Sequence, residues 1–289
     1  MGIFLESARG RFTTTGSGGR SYAPFRQSRN TKLRAAKRAQ VGCDRIQETG
    51  PLAGRIAVVT GASSGIGRAI AMALSRQGVR LCVVGRNPIT LAETVAAVRQ
   101  FSQVTDFRID LTLEESLQPL LRHLGEVGRL DILIHCAGMI HQDPMERARI
   151  EDLDLQYATN VRAPYVLTQR LLPLLTAARG QIVFINSSVG LTAKRPEVGQ
   201  YAATKHALKA IADSLREELN PKGIRVLSVY LGRTATPMQE ALCRKEERVY
   251  RPEMLLQPED VASVVIQALM LPSTAEVTDI SMRPIRKSY

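Results

Sequence analysis

Residues 56–78, IAVVTGASSGIGRAIAMALSRQG, restrict the fold more than any other stretch of the chain. The opening IAVVT is apolar without alternation, the mark of a strand buried on both faces, as in a parallel sheet. It runs straight into a glycine-rich turn and then into apolar residues at helical spacing that stop at Gly78. Parallel neighbours need a crossover connection, and this strand, turn and helix are the start of one. Gly61, Gly65 and Gly67 let the backbone turn tightly, approach an anion and pack the helix on the strand. Ser63 and Ser64 add hydroxyl donors around Ile66, beside the N–H groups that open the helix.

The same alternation continues to the end. LCVVGRN reads as a second strand, 88–100 as a helix, QVTDFRID as a third strand and 113–125 as a helix. LDILIHCAG supplies a fourth strand, and 150–178 is helical with interruptions at Pro164 and Pro173. QIVFIN, a helix over 200–219, IRVLSVYLG, a helix over 258–271 and EVTDISMRP complete the series. The pattern predicts an α/β fold, a doubly wound parallel sheet of about seven strands, as a single domain over 54–289. Residues 237–256 are predicted to form a short lid.

Residues 1–50 are different. Rich in Arg, Ser, Thr and Gly and without hydrophobic periodicity, they read as a disordered basic tail. Ten basic against three acidic residues give the tail +7 of the chain's +12. With the charge concentrated there and no nucleic-acid module in sequence, no nucleic-acid partner is expected. No apolar run is long enough to span a membrane, so no membrane partner is expected either. Cys43, Cys82, Cys136 and Cys243 show no CxxC spacing and no Cys/His pattern, which predicts neither a disulfide framework nor a bound metal. A cytoplasmic protein is expected, or an organellar one if the tail acts as a transit peptide.

Tyr201 and Lys205, in YAATK, stand four apart on a predicted helix, hence on one face about 6 Å apart along its axis. A phenol of pKa about 10 needs a cation nearby to work as an acid or base at neutral pH. Lys205 is placed to be that cation.

TGASSGIG and YAATK together, about 140 residues apart and in this order, resemble the fingerprints of the classical short-chain dehydrogenase/reductase family over roughly residues 54–289. The resemblance implies a Rossmann-type fold and an oxidoreductase that interconverts a carbonyl and an alcohol by hydride transfer. By that likeness Asn160, Ser188, Tyr201 and Lys205 form the catalytic set, with Ser188 chosen over Ser187 by its thirteen-residue interval to Tyr201. Nicotinamide-cofactor contacts are implied for Gly61, Ser63, Ser64, Gly65, Ile66, Gly67, Asp110, Leu111, Ala137, Gly138, Tyr201, Lys205 and Gly232, with Thr234 and Thr236. A turn or cap residue is the alternative reading of Asp110. The second strand ends in Gly85-Arg86 without an acid, which favours NADP(H) over NAD(H), since an arginine suits a 2′-phosphate. Cys136 stands where the family keeps an asparagine, and Leu231 where it keeps a proline. The family's habit further implies a small-molecule carbonyl or alcohol substrate and a homodimer or homotetramer. A cofactor-binding regulator of the same fold without turnover is the alternative.

Overall fold

The computed structural model describes residues 50–286. Its seven strands are β1 (Ile56–Thr60), β2 (Arg80–Gly85), β3 (Val104–Arg108), β4 (Ile132–His135), β5 (Gln181–Ser187), β6 (Arg225–Leu231) and β7 (Asp279–Met282). They form one sheet in the order β3-β2-β1-β4-β5-β6-β7, every pairing parallel. Every residue of β1 and β4 is buried, as central strands covered on both faces require. The edge strand β3 buries only Phe107, and β7 at the other edge buries none.

The helices are α1 (Gly65–Arg76), α2 (Pro88–Val98), α3 (Gln118–Val127), α4 (Ile150–Tyr157), α5 (Ala163–Ala178), α6 (Gly199–Leu219), α7 (Pro237–Lys245) and α8 (Pro258–Met270). Side chains on a strand point alternately to its two faces, so β1 divides itself between two cores. Ala57 and Val59 meet α1, α2 and α8 through Ile70, Leu74, Val95 and Val265. Ile56 and Val58 belong to the layer of α3, α5 and α6, with Leu124, Leu171 and Ala212. The chain leaves β1 toward β2 on one side and returns from β3 to β4 on the other. That reversal opens a crevice beyond the carboxyl ends of β1 and β4, the place where such sheets bind ligands.

Two boundaries differ from expectation. Leu52 is fully buried in the α1 and α8 core, so the packed chain begins before residue 54. Pro164 and Pro173 do not interrupt the helical stretch, because α5 carries both. The irregularity lies just upstream, in a π-helical turn over Ala158–Arg162. There the Ala163 N–H reaches back to the Ala158 carbonyl, and Pro164, which has no N–H to give, follows directly where the hydrogen-bond ladder has shifted register. The predicted tail, apart from Gly50, lies outside the described residues.

Candidate active site

The turn after β1 is shaped by glycine. Gly61 and Gly65 take φ of 67° and 52°, the left-handed region that side chains disfavour. A Cβ on Gly61 would sit 2.8 Å from the Ala137 Cα, and one on Gly67 only 2.2 Å from the Gly61 oxygen. Ser64 precedes α1 without capping it by a side-chain hydrogen bond, and no acid lies in the first turn. The helix therefore presents free N–H groups and its positive end to whatever lies above. The Ser63 hydroxyl is buried with no hydrogen-bond partner, and a Cβ on Gly85 would lie 2.0 Å from it. An orphaned hydroxyl and an uncapped helix start fit the phosphates of a dinucleotide.

These residues wall a cleft of about 510 Å³ that is completed by Arg86 after β2, Asp110 and Leu111 beyond β3, and Ala137 and Gly138 after β4. Arg86 is exposed and has no ion-pair partner among the described residues. Asp110 does form a turn: its Oδ1 accepts from the Thr112 hydroxyl at 2.7 Å and the Thr112 N–H at 3.0 Å. Those two bonds, the hydroxyl first, hold the carboxyl below its ordinary pKa. The nearby Arg86 charge adds a smaller pull in the same direction.

A second cleft, of about 170 Å³, continues the first between the ends of β4, β5 and β6 and the lid helix α7. Ile66, Cys136, Gly138, Thr236 and Met238 border both. Tyr201, Lys205, Gly232 and Thr234 line the second cleft. Thr234 and Thr236 are engaged locally: Thr234 donates to the Gly232 carbonyl, and Thr236 caps α7 by accepting from the Gln239 N–H.

Lys205 Nζ lies 5.8 Å from the Tyr201 ring centroid and donates to the Ile185 carbonyl at 3.3 Å. Burial lowers its pKa to about 8, with Cys136 pulling the other way. Burial pushes the Tyr201 phenol up to about 12, and a hydrogen bond with the Ser187 side chain works against it. The protein's own groups thus leave the phenol a weaker acid than free tyrosine. The interval to Tyr201 selects Ser188, but the hydroxyl whose interaction with the phenol offsets its burial is that of Ser187. Ser187 ends β5, where its pairing opposite Leu231 fixes its direction, and its Oγ also accepts from the Val189 N–H at 3.4 Å. Ser188 starts a 3₁₀ turn and lines the cleft beside it.

Asn160 sits in the π-helical turn, is 1% exposed and borders neither cleft. Its Oδ1 accepts from the Met139 N–H, and its Nδ2 donates to the Met139 carbonyl and to Thr204 Oγ1. Thr204 in turn donates to the Tyr201 carbonyl. A Cβ on Gly138 would meet Asn160 Oδ1 at 3.3 Å and Lys205 Nζ at 3.8 Å, so amide and ammonium stand close behind that glycine.

The family model described as short chain dehydrogenase matches residues 55–247. The chain belongs to that family. It is 32% identical to an uncharacterized oxidoreductase of Staphylococcus epidermidis over 80% of this chain and 97% of that one. Among solved structures it is similar to an alcohol dehydrogenase from the archaeon Thermococcus sibiricus complexed with 5-hydroxy-NADP. The TM-score there is 0.73 and the identity 25%, over 81% of this chain and 99% of that one. Pseudomonas aeruginosa RhlG, solved as an NADP active-site complex, is 28% identical with a TM-score of 0.69, over 80% and 95% of the two chains. This short-chain dehydrogenase is therefore an NAD(P)-dependent oxidoreductase acting on CH–OH groups.

Cys136 does not leave the dehydrogenase's sheet unclasped. Thr60 Oγ1 donates to the Ile134 carbonyl and accepts from the Cys136 and Ala137 N–H groups at 3.1 and 3.2 Å, joining β1 to the end of β4. Burial drives the Cys136 thiol up to about 12. The neighbouring His135 points away into the core, stacked on Phe184 with Nε2 2.8 Å from Thr168 Oγ1, and burial lowers its pKa to about 3. Among the described residues no cluster of metal-ligand type occurs, and no helix is long and apolar enough to cross a membrane.

The lid's basic residues are largely spoken for. Arg244 pairs with Glu240, Lys245 with Asp143 at 2.8 Å and Arg248 with Glu246 at 3.3 Å. The arginines that do line the second cleft, Arg195 and Arg233, carry no sequence signal, because single cations in loops are ordinarily solvated.

Proposed function

We propose that this dehydrogenase interconverts a small carbonyl compound and its primary or secondary alcohol, with Tyr201 as the acid and base and NADP(H) preferred over NAD(H). The observation that carries this reading is the Ser187–Tyr201–Lys205 group in the wall of the second cleft, next to the first. The nicotinamide cofactor supplies or accepts the hydride when bound. The glycine turn and Ser63 hold its phosphates, and the unpaired Arg86 meets a 2′-phosphate. Ser187, in place of Ser188, orients the carbonyl oxygen, and Tyr201 gives that oxygen its proton. Lys205 holds a positive charge beside the phenol, and Asn160 positions the loop after β4 and the helix that carries both.

Ile150, Leu155, Tyr157 and Tyr165 are exposed on α4 and the start of α5, which supports pairing of subunits into a homodimer or homotetramer. Cys82, Cys136 and Cys243 are free, in keeping with a reducing cytoplasmic setting.

The test is NADPH oxidation across ketones, aldehydes and quinones, with Tyr201→Phe beside the parent enzyme. Loss of the phenol should cut turnover by about 10²–10⁴-fold, with cofactor binding retained. Near-normal turnover in Tyr201→Phe excludes the mechanism. Tight cofactor binding with no turnover of any carbonyl favours the alternative, a regulator of the same fold.

A further inference from the structure

The substrate cleft carries an uneven charge. Its walls are mainly apolar, with Met139, Ile140, Ile185, Val189, Leu231 and Leu242 among them. No aspartate or glutamate lines it, yet Arg195 and Arg233 do, from two different loops. Both arginines reach Glu246, just past the end of α7: Arg233 Nη2 at 2.9 Å and Arg195 Nη2 at 3.5 Å. Arg248 reaches the same carboxylate at 3.3 Å. Three guanidinium groups thus share one carboxylate, and two of them, Arg195 and Arg233, are at the wall of the cleft.

The arginines also have donors to spare. A guanidinium has five N–H donors in a fixed fork, suited to a carboxylate. Arg233 gives Glu246 bonds from Nη2 alone, to both carboxylate oxygens at 3.2 and 2.9 Å. Arg195 makes a single side-chain bond, also from Nη2. Glu246 acts as the brace that holds the two forks at the cleft. Burial alone would raise its pKa, but the arginines outweigh burial and keep it ionised. Arg233 is 15% exposed, so its charge is only weakly screened by solvent.

We infer that the substrate of this dehydrogenase is a small oxo acid or the matching hydroxy acid, whose carboxylate binds Arg195 and Arg233 while its carbonyl or hydroxyl faces Tyr201. This rests on the carbonyl chemistry proposed above and names the substrate class for the same site. The cleft of about 170 Å³ is below the roughly 300–1,000 Å³ of drug-sized ligand sites, which suits a short chain. The carboxylate takes no part in the reaction. The carbonyl gains a hydride and a proton as the reduced cofactor is oxidised, and the reverse sequence returns both.

The experiment compares short-chain oxo acids with their methyl esters as paired substrates of the full-length enzyme, reading kcat/KM for each. The expected result is an acid-to-ester ratio well above one. Arg195→Met or Arg233→Met should lower that ratio by roughly 10–100-fold, as for loss of hydrogen bonds to a charged group, and Arg233→Lys should restore part of it. Arg233 also secures Glu246, so the half-exposed Arg195 provides the variant least tied to folding. Acids and esters reduced equally well, or a ratio unmoved in both arginine variants, would overturn this inference while leaving the carbonyl chemistry intact. If every acid and ester goes unreduced while a neutral ketone or aldehyde is turned over, this inference falls and the carbonyl chemistry stands; if no carbonyl of any kind is reduced, the proposed function itself falls, and this inference with it.

Discussion

Asn160 holds the backbone of Met139 at both of its polar groups, accepting from the N–H and donating to the C=O, each at 2.9 Å. A neighbouring strand would offer the same pair of bonds, and here one amide supplies them where β4 has ended. Asn160→Ala should cost about 1–3 kcal/mol of stability, the penalty for groups left unsatisfied in a buried setting. It should also lower kcat, because the loop and α6 lose their common anchor through Thr204. Denaturant unfolding and steady-state rates on the same preparation check both; an unaltered midpoint and kcat would refute the anchoring role.

The two adjacent serines make a direct comparison. Ser187→Ala should reduce turnover by roughly 10²-fold or more, the scale on which one donor to a developing oxyanion counts. Ser188→Ala should stay within a few-fold of the parent. Equal losses, or a larger one in Ser188→Ala, would return the role to the residue picked out by spacing.

In the proposed function, cofactor choice rests on Arg86. Arg86→Asp should shift the ratio of kcat/KM for NADPH over NADH by roughly tenfold or more toward NADH, since hydrogen bonds to charged groups are worth about 1.5–3 kcal/mol. Rates measured at saturating substrate with each cofactor decide the point. A ratio that does not change removes Arg86 from the phosphate site.

Lys205 should leave its mark on the pH dependence of stability. Its pKa in the folded chain, about 8, lies below the free value of 10.5 because burial disfavours the ammonium. Below pH 8 the folded protein bears that cost in full. Between about 8 and 10.5 the unfolded chain keeps a proton that the folded chain has released, so this group's contribution to stability grows as pH rises. Unfolding midpoints across that window should climb more steeply in the parent than in Lys205→Met. Parallel curves would mean that Lys205 titrates as a free lysine.

What the sequence made legible was local. The glycine turn at 61–67 and the pair Tyr201 and Lys205 lie within single elements, so periodicity and spacing specify them directly. The strands were legible for the same reason, since burial on both faces leaves unbroken apolar runs such as those of β1 and β4. Spacing did not pick out Ser187, the serine used in the proposed mechanism, because a residue count back from Tyr201 crosses a 3₁₀ turn and a loop, where numbering does not determine direction. The π-helical turn around Asn160 has no residue signature, and Pro164 drew attention to the wrong place. The meeting of Arg195 and Arg233 at Glu246 joins residues 51 and 13 positions apart. Only the tertiary fold brings them together.

The crowding of Gly85 against Ser63 bears on how such a dehydrogenase can change over generations. An acid at the end of β2 would suit a cofactor with a free ribose, yet any side chain at position 85 would arrive 2.0 Å from the serine oxygen. Ser63 has to shrink or turn aside before Gly85 can grow. The two positions are therefore coupled: a side chain at 85 requires the Ser63 hydroxyl to leave its present place, by rotation or by substitution. If cofactor preference is set at this strand end as proposed, a library that varies 63 and 85 together should recover switched variants more often than one varying 85 alone.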